Sequence, residues 1–217
     1  MYRYLLINSK TLFAQQFLRT IQAPDKAVWE LNFADDYFTD VESNRSSTSS
    51  ICNHKDDWSL NYEIERAFLN FKRFDEVIFF PGNLIFGPLE AISSNAIEEY
   101  ISRQIIAVTE IYRILADRLA SQHGCKVTQV IYEKSYEFTA LSSLPCMINS
   151  ALQGLIEGLG REFSEMGIEV TSKNQESFYK DFMNKECLFI NDLKLIHYQP
   201  LVTRHLEGVG RLFEGRK

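Results

Sequence analysis

Three residues with side chains suited to proton transfer alternate along one predicted extended segment. Tyr132, Lys134 and Tyr136 would point to the same side of such a segment, so a tyrosine and a lysine could share one cleft. A group that transfers protons must titrate near the working pH and reach the reacting oxygen. Cys146 follows, and would need a histidine partner to act as a nucleophile. The alternative is a polar rim at a strand end, with Cys146 as an inert packing residue.

A second polar group follows the first predicted strand. Its members are Asn8, Ser9, Lys10 and Thr11. The three neutral side chains could bind a phosphate and Lys10 could neutralise it, although the same pattern is typical of an ordinary helix cap with a solvated charge. Asp35 and Asp36 come just after the second predicted strand, where an acidic side chain could bind a ribose.

The histidines and cysteines do not predict a metal site. None of the four histidines has the spacing of metal ligands, and the four cysteines are scattered without a C-x-x-C pair. The cysteines are Cys52, Cys125, Cys146 and Cys187. We expect reduced, partly buried thiols in a cytoplasmic protein.

The composition argues against nucleic-acid and membrane partners. The 217 residues carry 23 Lys and Arg against 29 Asp and Glu, a net charge of -6, whereas binding to a phosphate backbone needs concentrated positive charge. No apolar run approaches the ~20 residues of a membrane span, and the first is too short for a secretory signal. We therefore expect neither kind of partner.

Short apolar runs alternate with amphipathic stretches, which is typical of βαβ units. Strands are predicted at 4–7, 27–33, 51–53, 76–80, 126–132 and 168–171. Helices are predicted at 12–21, 59–74, 94–123 and 145–166, with Ser59 as the N-cap of the second. Residues 43–50 are predicted to be a solvated loop. The pattern predicts an α/β fold: a Rossmann-like, doubly wound parallel sheet with helices on both faces. We predict one domain over 1–217, with a tail from 175 in which 189–190 and 193–198 are strand candidates.

Two segments resemble the short-chain dehydrogenase/reductase family. Residues 74–82 are an apolar strand ending in Pro81-Gly82, where that family has a strand and an Asn-Asn-Ala-Gly turn. Residues 151–170 resemble the family's second long helix, its acidic exit, a glycine and the next strand. The resemblance covers about residues 1–175. It implies a carbonyl-reducing fold that binds NAD(P) and pairs through two long helices.

The motifs that carry the family's activity are missing. The first strand-to-helix turn, residues 7–14, contains no glycine, and Leu12 or Phe13 would occupy the space that a diphosphate needs. By alignment with the family, Cys146 stands at the catalytic Tyr position and Ser150 at the Lys position. The Ser and Asn positions fall at about Tyr132 and Gln104. We therefore predict no catalytic residues and no bound cofactor.

The two long helices keep the features of an association surface. Ser150, Gly154 and Gly158 fall on one face at i, i+4 and i+8, which suggests close approach of another backbone. The first long helix carries an apolar stripe at three- and four-residue steps, which predicts one buried side: Ile101, Ile105, Val108, Tyr112, Leu115 and Leu119. We add Ile105 and Tyr112 of this helix to the predicted interface. The alternative is that this small-residue face contacts the chain's own sheet.

Three functions are consistent with these patterns. The first is a degenerate, non-catalytic or regulatory subunit that forms a homo-dimer, or a hetero-oligomer with an active dehydrogenase-like subunit. The second is an atypical NAD(P)-dependent oxidoreductase with a site rebuilt around Tyr132, Lys134 and Cys146. The third is a small-molecule sensor that uses the cleft beside Asn8, Gly82 and Asn83.

Overall fold

A six-stranded parallel sheet forms the centre of the computed structural model, which describes residues 1–21, 23–34, 47–122, 124–132 and 141–182. Its strands are β1 (Tyr2–Ile7), β2 (Lys26–Phe33), β3 (Ser47–Cys52), β4 (Glu76–Phe79), β5 (Lys126–Ile131) and β6 (Glu169–Asn174). Their order is β3-β2-β1-β4-β5-β6. The chain therefore winds one way from β1 to β3, and the other way from β4 to β6.

The helices connect these strands. They are α1 (Leu12–Thr20), α2 (Asp57–Phe71), α3 (Ser94–Ile101), α4 (Ala107–Ala120), α5 (Ser143–Ser164) and α6 (Gln175–Phe182), with a 3-10 turn at Leu89–Ala91. A π-helical turn, Ser102–Ile106, joins α3 to α4. The compact unit that contains the sheet is Met1–Phe178. A second unit is Tyr179–Lys217, of which the structure describes only 179–182.

Both faces of the sheet are covered by helices. Leu5 and Ile7 of β1 belong to one buried cluster with side chains of α2, α4 and α5. The alternate residue Tyr4 faces the other way and contacts Phe17 of α1, at 6.1 Å between ring centres. Central strands covered on both faces read as continuous apolar runs, as β1 and β4 do. The predicted doubly wound α/β fold is confirmed.

The prediction of a solvated loop at 43–50 is wrong for Ser47–Ser50. These residues form most of β3, in parallel register with β2. The edge position explains the polar sequence, because backbone pairing to one neighbour needs no apolar side chains. Ser50 is nevertheless buried, and its Oγ accepts a hydrogen bond from the Trp29 indole N–H at 3.2 Å.

Helix α2 begins earlier than predicted. Asp56 caps it by accepting a hydrogen bond from the Trp58 N–H at 3.0 Å, whereas the predicted cap, Ser59, accepts from the Asn53 N–H. Lys72 ends the helix with a left-handed φ of 63°. The carboxylate of Asp56 is the better cap because it also interacts favourably with the helix dipole.

The first long helix, predicted as one α-helix over 94–123, contains the π turn, and its α-helical part ends at Ala120. Its predicted apolar stripe is buried after that turn, at Val108, Tyr112, Leu115 and Leu119. The strand candidates 189–190 and 193–198 lie outside the described residues. Among the helices that the structure describes, none combines the length and apolarity needed to cross a membrane.

Candidate functional site

The carboxyl edge of the sheet is the natural place for a site. Strands β2 and β4 flank β1, so the direction of winding reverses beside β1, and open α/β sheets bind ligands outside the carboxyl ends at such a point. Residues from six parts of the chain meet here: the segments after β1, β4 and β5, helix α3, the π turn and helix α5. We call Asn8, Gly82, Tyr100, Gln104, Tyr132 and Asn149 the switch-point cluster.

The peptide groups of Gly82 are held from two sides. Its N–H donates to Gln104 Oε1 at 3.2 Å, and its carbonyl accepts a hydrogen bond from the Tyr132 hydroxyl. A Cβ at position 82 would overlap the Gln104 amide and lie 3.3 Å from Asn8 Nδ2. Any side chain at position 82 would therefore have to displace the Gln104 amide, and the glycine does not serve an unusual φ.

The π turn brings Gln104 to this position. One extra residue per turn shifts the phase of the helix, so a polar side chain on the long helix is directed at the sheet edge. Gln104 is 7% exposed, and its neighbour Ile106 is 59% exposed. Such turns occur frequently at functional sites. The sequence places Gln104 at the family's Asn position but does not indicate the π turn.

Tyr132 is fixed at both its backbone and its side chain. Its N–H donates to Asn149 Oδ1 at 3.1 Å, and the Asn149 amide donates to its carbonyl at 3.4 Å. It is 3% exposed. The neighbouring Tyr100 is also buried, and burial raises the pKa of its phenol more than its contacts with Tyr132 and the Ile85 backbone lower it. A group with a raised pKa of this kind keeps its proton near neutral pH.

The turn between β1 and α1 is held by hydrogen bonds within the chain. Asn8 takes a left-handed φ of 60°, and its amide donates to the Phe80 carbonyl at 3.3 Å. Ser9 is fully buried and donates to Glu30 Oε2 at 2.5 Å. The Lys10 N–H donates to Asn32 Oδ1 at 3.1 Å, and Thr11 caps α1 at the Ala14 N–H.

Sequence reasoning missed two residues of this turn. Glu30 and Asn32 of β2 are buried, and both side chains accept hydrogen bonds from the turn. The sequence does indicate these two residues, because they are polar positions at i and i+2 in an otherwise apolar strand. Such a pair on one face of a strand indicates a buried polar contact rather than a solvated face.

The two apolar residues of the turn take different positions. Leu12, one of the two residues expected to occupy the space that a diphosphate needs, is 44% exposed. Phe13 is directed inward, with ring centres 6.0 Å from both Phe80 and Phe178. The turn therefore contains bulky side chains on its outer and inner sides.

Two of the four positions aligned with the family's catalytic residues, Cys146 and Ser150, lie along the start of α5. Cys146 is partly buried, with its sulfur 3.6 Å from Ser142 Oγ, and Ser150 is exposed one turn later. Asn83 is exposed beside Gly82. Lys134, Tyr136, Asp35 and Asp36 lie outside the described residues. Within the part of the chain that the structure describes, no three His, Cys, Asp or Glu side chains form a metal-binding group.

The small-residue face of α5 is directed outward. Ser150, Gly154 and Gly158 are exposed, and a Cβ on either glycine would meet no atom within 4 Å. The alternative prediction, contact with the chain's own sheet, is therefore wrong for the described part of the chain. Ile105 is half-buried against the core.

Tyr112 is a correction to the predicted interface. It is 1% exposed, and its ring stacks on Phe79 of β4 at 4.3 Å between centres. Its side chain extends from α4 into the core, so it presents no surface to a partner. A residue of an apolar stripe is suited to the core as well as to an interface, and in the structure Tyr112 is in the core.

Of the comparisons with known proteins, only the comparison with solved structures finds matches. No protein-family model and no curated protein sequence matches the chain. A short-chain dehydrogenase/reductase double mutant from Serratia marcescens superposes with a TM-score of 0.65 at 15% identity, over 79% of this chain and 75% of that one.

Two further structures of the same kind superpose similarly. A 3-ketoacyl-(acyl-carrier-protein) reductase from Brucella melitensis, in complex with NADH, has a TM-score of 0.69 at 12% identity, over 80% of this chain and 74% of that one. An aldohexose dehydrogenase from Thermoplasma acidophilum, ligand-free, has a TM-score of 0.68 at 9% identity, over 79% and 64%. The chain thus spans about two thirds to three quarters of these proteins. At these identities the likeness concerns the fold, and the described part of the chain has the short-chain dehydrogenase/reductase fold.

Proposed function

We propose that this chain is a non-catalytic subunit with a dehydrogenase-like fold, which acts by pairing through the outer face of α5. Its partner is a second copy or an active dehydrogenase-like subunit that it stabilises or regulates. The observation that carries the proposal is the double hydrogen bonding of Gly82 by Gln104 and Tyr132. These two hydrogen bonds use the Gln104 and Tyr132 side chains to hold the backbone. They lie at the sheet edge where the family performs its chemistry.

The hydrogen bonds of the switch-point cluster argue against proton transfer there. A general acid must reach the reacting oxygen of a substrate, but the Tyr132 hydroxyl is directed at a backbone carbonyl inside the protein. Cys146 and Ser150 stand where the resemblance places the acid and the lysine that assists it. Neither side chain supplies a phenol or an ammonium group. The cluster is therefore suited to hold the loop after β4 in place.

The β1–α1 turn does not fit the diphosphate of a dinucleotide. Diphosphate binding needs free backbone N–H groups and missing side chains at the start of a helix. Here the Lys10 N–H is bonded to Asn32, the Ala14 N–H is bonded to Thr11, and Leu12 adds a half-exposed side chain. We therefore assign no chemical step to NAD(P).

The exposed face of α5 supports an association function. Each helical glycine costs about 1 kcal/mol relative to alanine, and Gly154 and Gly158 gain no compensating contact within the described residues. Their absence of side chains would instead let another helix backbone approach closely. Met147, 41% exposed near the start of the same helix, adds an adaptable apolar contact.

The experiment compares assembly of the full chain with that of Gly154→Arg. We expect the wild-type chain to sediment as a dimer, or to co-purify from its native cells with a dehydrogenase, and Gly154→Arg to lose that complex. Thr20→Arg, an exposed substitution at the end of α1, is the matched control and should change nothing. An unchanged complex in Gly154→Arg would contradict the proposal.

The enzyme alternative makes a separate prediction. The Brucella reductase was solved with NADH, so an atypical oxidoreductase on this fold would use NAD(H) or NADP(H). It would oxidise the reduced cofactor in the presence of a carbonyl substrate, and Tyr132→Phe would abolish that turnover. Turnover of this kind would replace the proposal of a non-catalytic subunit.

A further inference from the structure

A second polar cluster lies at the carboxyl edge, beyond the ends of β2 and β3. It consists of Glu99 of α3, Arg103 of the π turn, and His54 and Lys55 of the loop after β3, and we call it the Glu99 cluster. One Glu99 carboxylate oxygen is 2.5 Å from Lys55 Nζ. The other is 2.8 Å from Arg103 Nε and 3.0 Å from His54 Nε2. The cluster therefore joins α3 to the loop after β3.

Arg103 connects this cluster to the end of β2. Its guanidinium donates a hydrogen bond to the Ala34 carbonyl at 3.4 Å, and the Ala34 N–H donates to the carbonyl of Cys52, the last residue of β3, at 2.7 Å. The Arg103 side chain is 18% exposed, so solvent screens its ion pair less than it screens that of Lys55, which is 57% exposed. A network that includes a partly buried pair holds its members better than an isolated surface pair does. The π turn is thus anchored to the ends of β2 and β3.

Gln104, the residue after Arg103, binds a different part of the same edge. Its Oε1 accepts the N–H of Gly82, which follows β4. In the sheet, β2 and β4 lie on opposite sides of β1. Successive residues of one helical turn therefore bind segments on both sides of the point where the winding direction reverses. Because their backbones are adjacent, a movement of Arg103 changes the direction of Gln104.

Helix α3 has little apolar packing of its own to fix its position. Tyr100 is its one buried residue, and Ile97 is a half-buried residue that packs against the core. Helix α4, in contrast, has buried apolar residues on every turn from Ala107 to Leu119. Segments with few buried apolar contacts open locally at a low free energy. The position of α3 therefore depends more on the Glu99 cluster than that of α4 does.

The π turn determines which residue of α3 faces the loop after β3. An α-helix turns by about 100° per residue, so the extra residue of the π turn rotates α3 by about that angle relative to α4. If the turn became a regular α-helix with α4 in place, each residue of α3 would move to the position now held by the residue before it. Tyr100 would then take the place of Glu99, opposite Lys55. The ion pairs of Glu99 therefore stabilise the π turn itself.

We propose that the Glu99 cluster is an ionic latch on the π turn. While its ion pairs hold α3 in its present phase, Gln104 is directed at Gly82; when they break, the Gly82 N–H loses its acceptor. The segments after β3 and β4 are thereby coupled through the π turn, although the hydrogen bonds of Gly82 are to Gln104 and Tyr132. The latch does not depend on the proposed function, because it requires neither a partner subunit nor the loss of cofactor binding.

The first test is amide hydrogen exchange of the full chain, measured by NMR at Gly82 and at Leu6, which is fully buried in the central strand β1. We expect Glu99→Gln to speed exchange at Gly82 roughly tenfold and to change exchange at Leu6 less, because a local opening does not expose the sheet. Glu98→Gln, at an exposed neighbouring position of α3, is the control and should change neither rate. Equal acceleration at both amides, or no change at Gly82, would overturn the proposal.

The second test asks whether the effect passes through Gln104. Gln104→Ala removes the acceptor of the Gly82 N–H, so Gly82 should exchange faster in this variant. Adding Glu99→Gln should then have little further effect at Gly82, whereas alone it speeds exchange there roughly tenfold. Lys55→Gln, which removes another member of the cluster, should act in the same direction as Glu99→Gln. If Glu99→Gln sped exchange at Gly82 equally with and without Gln104, the two residues would not be coupled and the proposal would be wrong.

Discussion

The Gln104 side chain and the Gly82 backbone are mutually dependent. Gln104 Oε1 accepts the Gly82 N–H at 3.2 Å, and the same amide group fills the space that a side chain at position 82 would need. The contact joins the π turn of the long helix to the loop after β4. It lies at the carboxyl edge of the sheet, at the point where the winding direction reverses.

Gly82→Ala should therefore destabilise the protein by about 1–3 kcal/mol, because the new methyl group displaces the Gln104 amide and breaks its hydrogen bond. Urea unfolding monitored by tryptophan fluorescence measures the change. The control is the same substitution in a Gln104→Ala background, where the methyl group has room. Equal costs in both backgrounds would show that the two residues are not coupled.

Two buried tyrosines should respond oppositely to loss of their hydroxyl groups. Within the described residues, the Tyr112 hydroxyl has no hydrogen-bond partner, whereas that of Tyr132 donates to Gly82. Tyr112→Phe should be neutral or raise the free energy of unfolding by up to about 1 kcal/mol, since it removes an unsatisfied polar group. Tyr132→Phe should lower it by about 1–3 kcal/mol, since it removes the hydrogen bond to the part-buried Gly82 carbonyl.

Calorimetric melting of the two variants side by side gives the comparison. Both substitutions delete one oxygen from a buried ring, so each controls for the other. If Tyr112→Phe were the more destabilising, the assigned hydrogen bonds would be wrong.

Glu76 should make stability fall as the pH rises. Burial raises the pKa of its carboxyl, and the hydrogen bonds from Tyr2 and Thr128 only partly oppose this. The unfolded chain ionises near the ordinary value of 4.5, before the folded chain does, so the free energy of unfolding decreases from there up to the raised folded-state pKa. Glu76→Gln should be more stable than the wild type at neutral pH, with the difference shrinking towards pH 4.5. A difference independent of pH would contradict this.

Glu99, in contrast to Glu76, should make stability fall as the pH falls. Its carboxylate accepts from Lys55 at 2.5 Å and from Arg103 at 2.8 Å, and these partners lower its pKa to about 2. The stabilisation is present above the ordinary value of 4.5 and is lost as the pH falls towards about 2. Glu99→Gln should destabilise the protein at neutral pH and have a smaller effect in acid. Chemical denaturation across this range measures it, and a larger effect in acid would refute the ion pairs.

Much of the fold followed from sequence because the central strands and long helices have strong periodicity. The apolar runs of β1 and β4 and the glycine after α5 marked their elements directly, and Gly167 has the left-handed φ of 73° expected at a helix end. The first four residues of the edge strand, Ser47–Ser50, did not follow, because their backbone pairing leaves no apolar alternation, whereas Ile51 and Cys52 were predicted to be extended. Likewise, hydrogen bonding at the start of α2 decides that Asp56 rather than Ser59 is its cap, and apolar periodicity does not predict such contacts.

The site was less predictable, because it depends on contacts between elements. Nothing in the sequence of the long helix indicates a π turn, so the direction of Gln104 towards Gly82 could not be foreseen. Tyr112 belonged to an apolar stripe that serves both core and interface, and only the stacking on Phe79 distinguishes them. Glu30 and Asn32, by contrast, were visible as polar positions in an apolar strand.

The most direct test of a closed, non-catalytic carboxyl edge is a thermal-shift titration of the full chain with NAD⁺, NADH, NADP⁺ and NADPH. A ligand at a hundred times its Kd stabilises the native state by about 2.7 kcal/mol, which raises the Tm of a chain this size by roughly 5–10 °C. We predict no change in Tm with any of the four. A rise in Tm of several degrees with one of the four, reversed by an excess of a ligand that competes for the same site, would contradict the account.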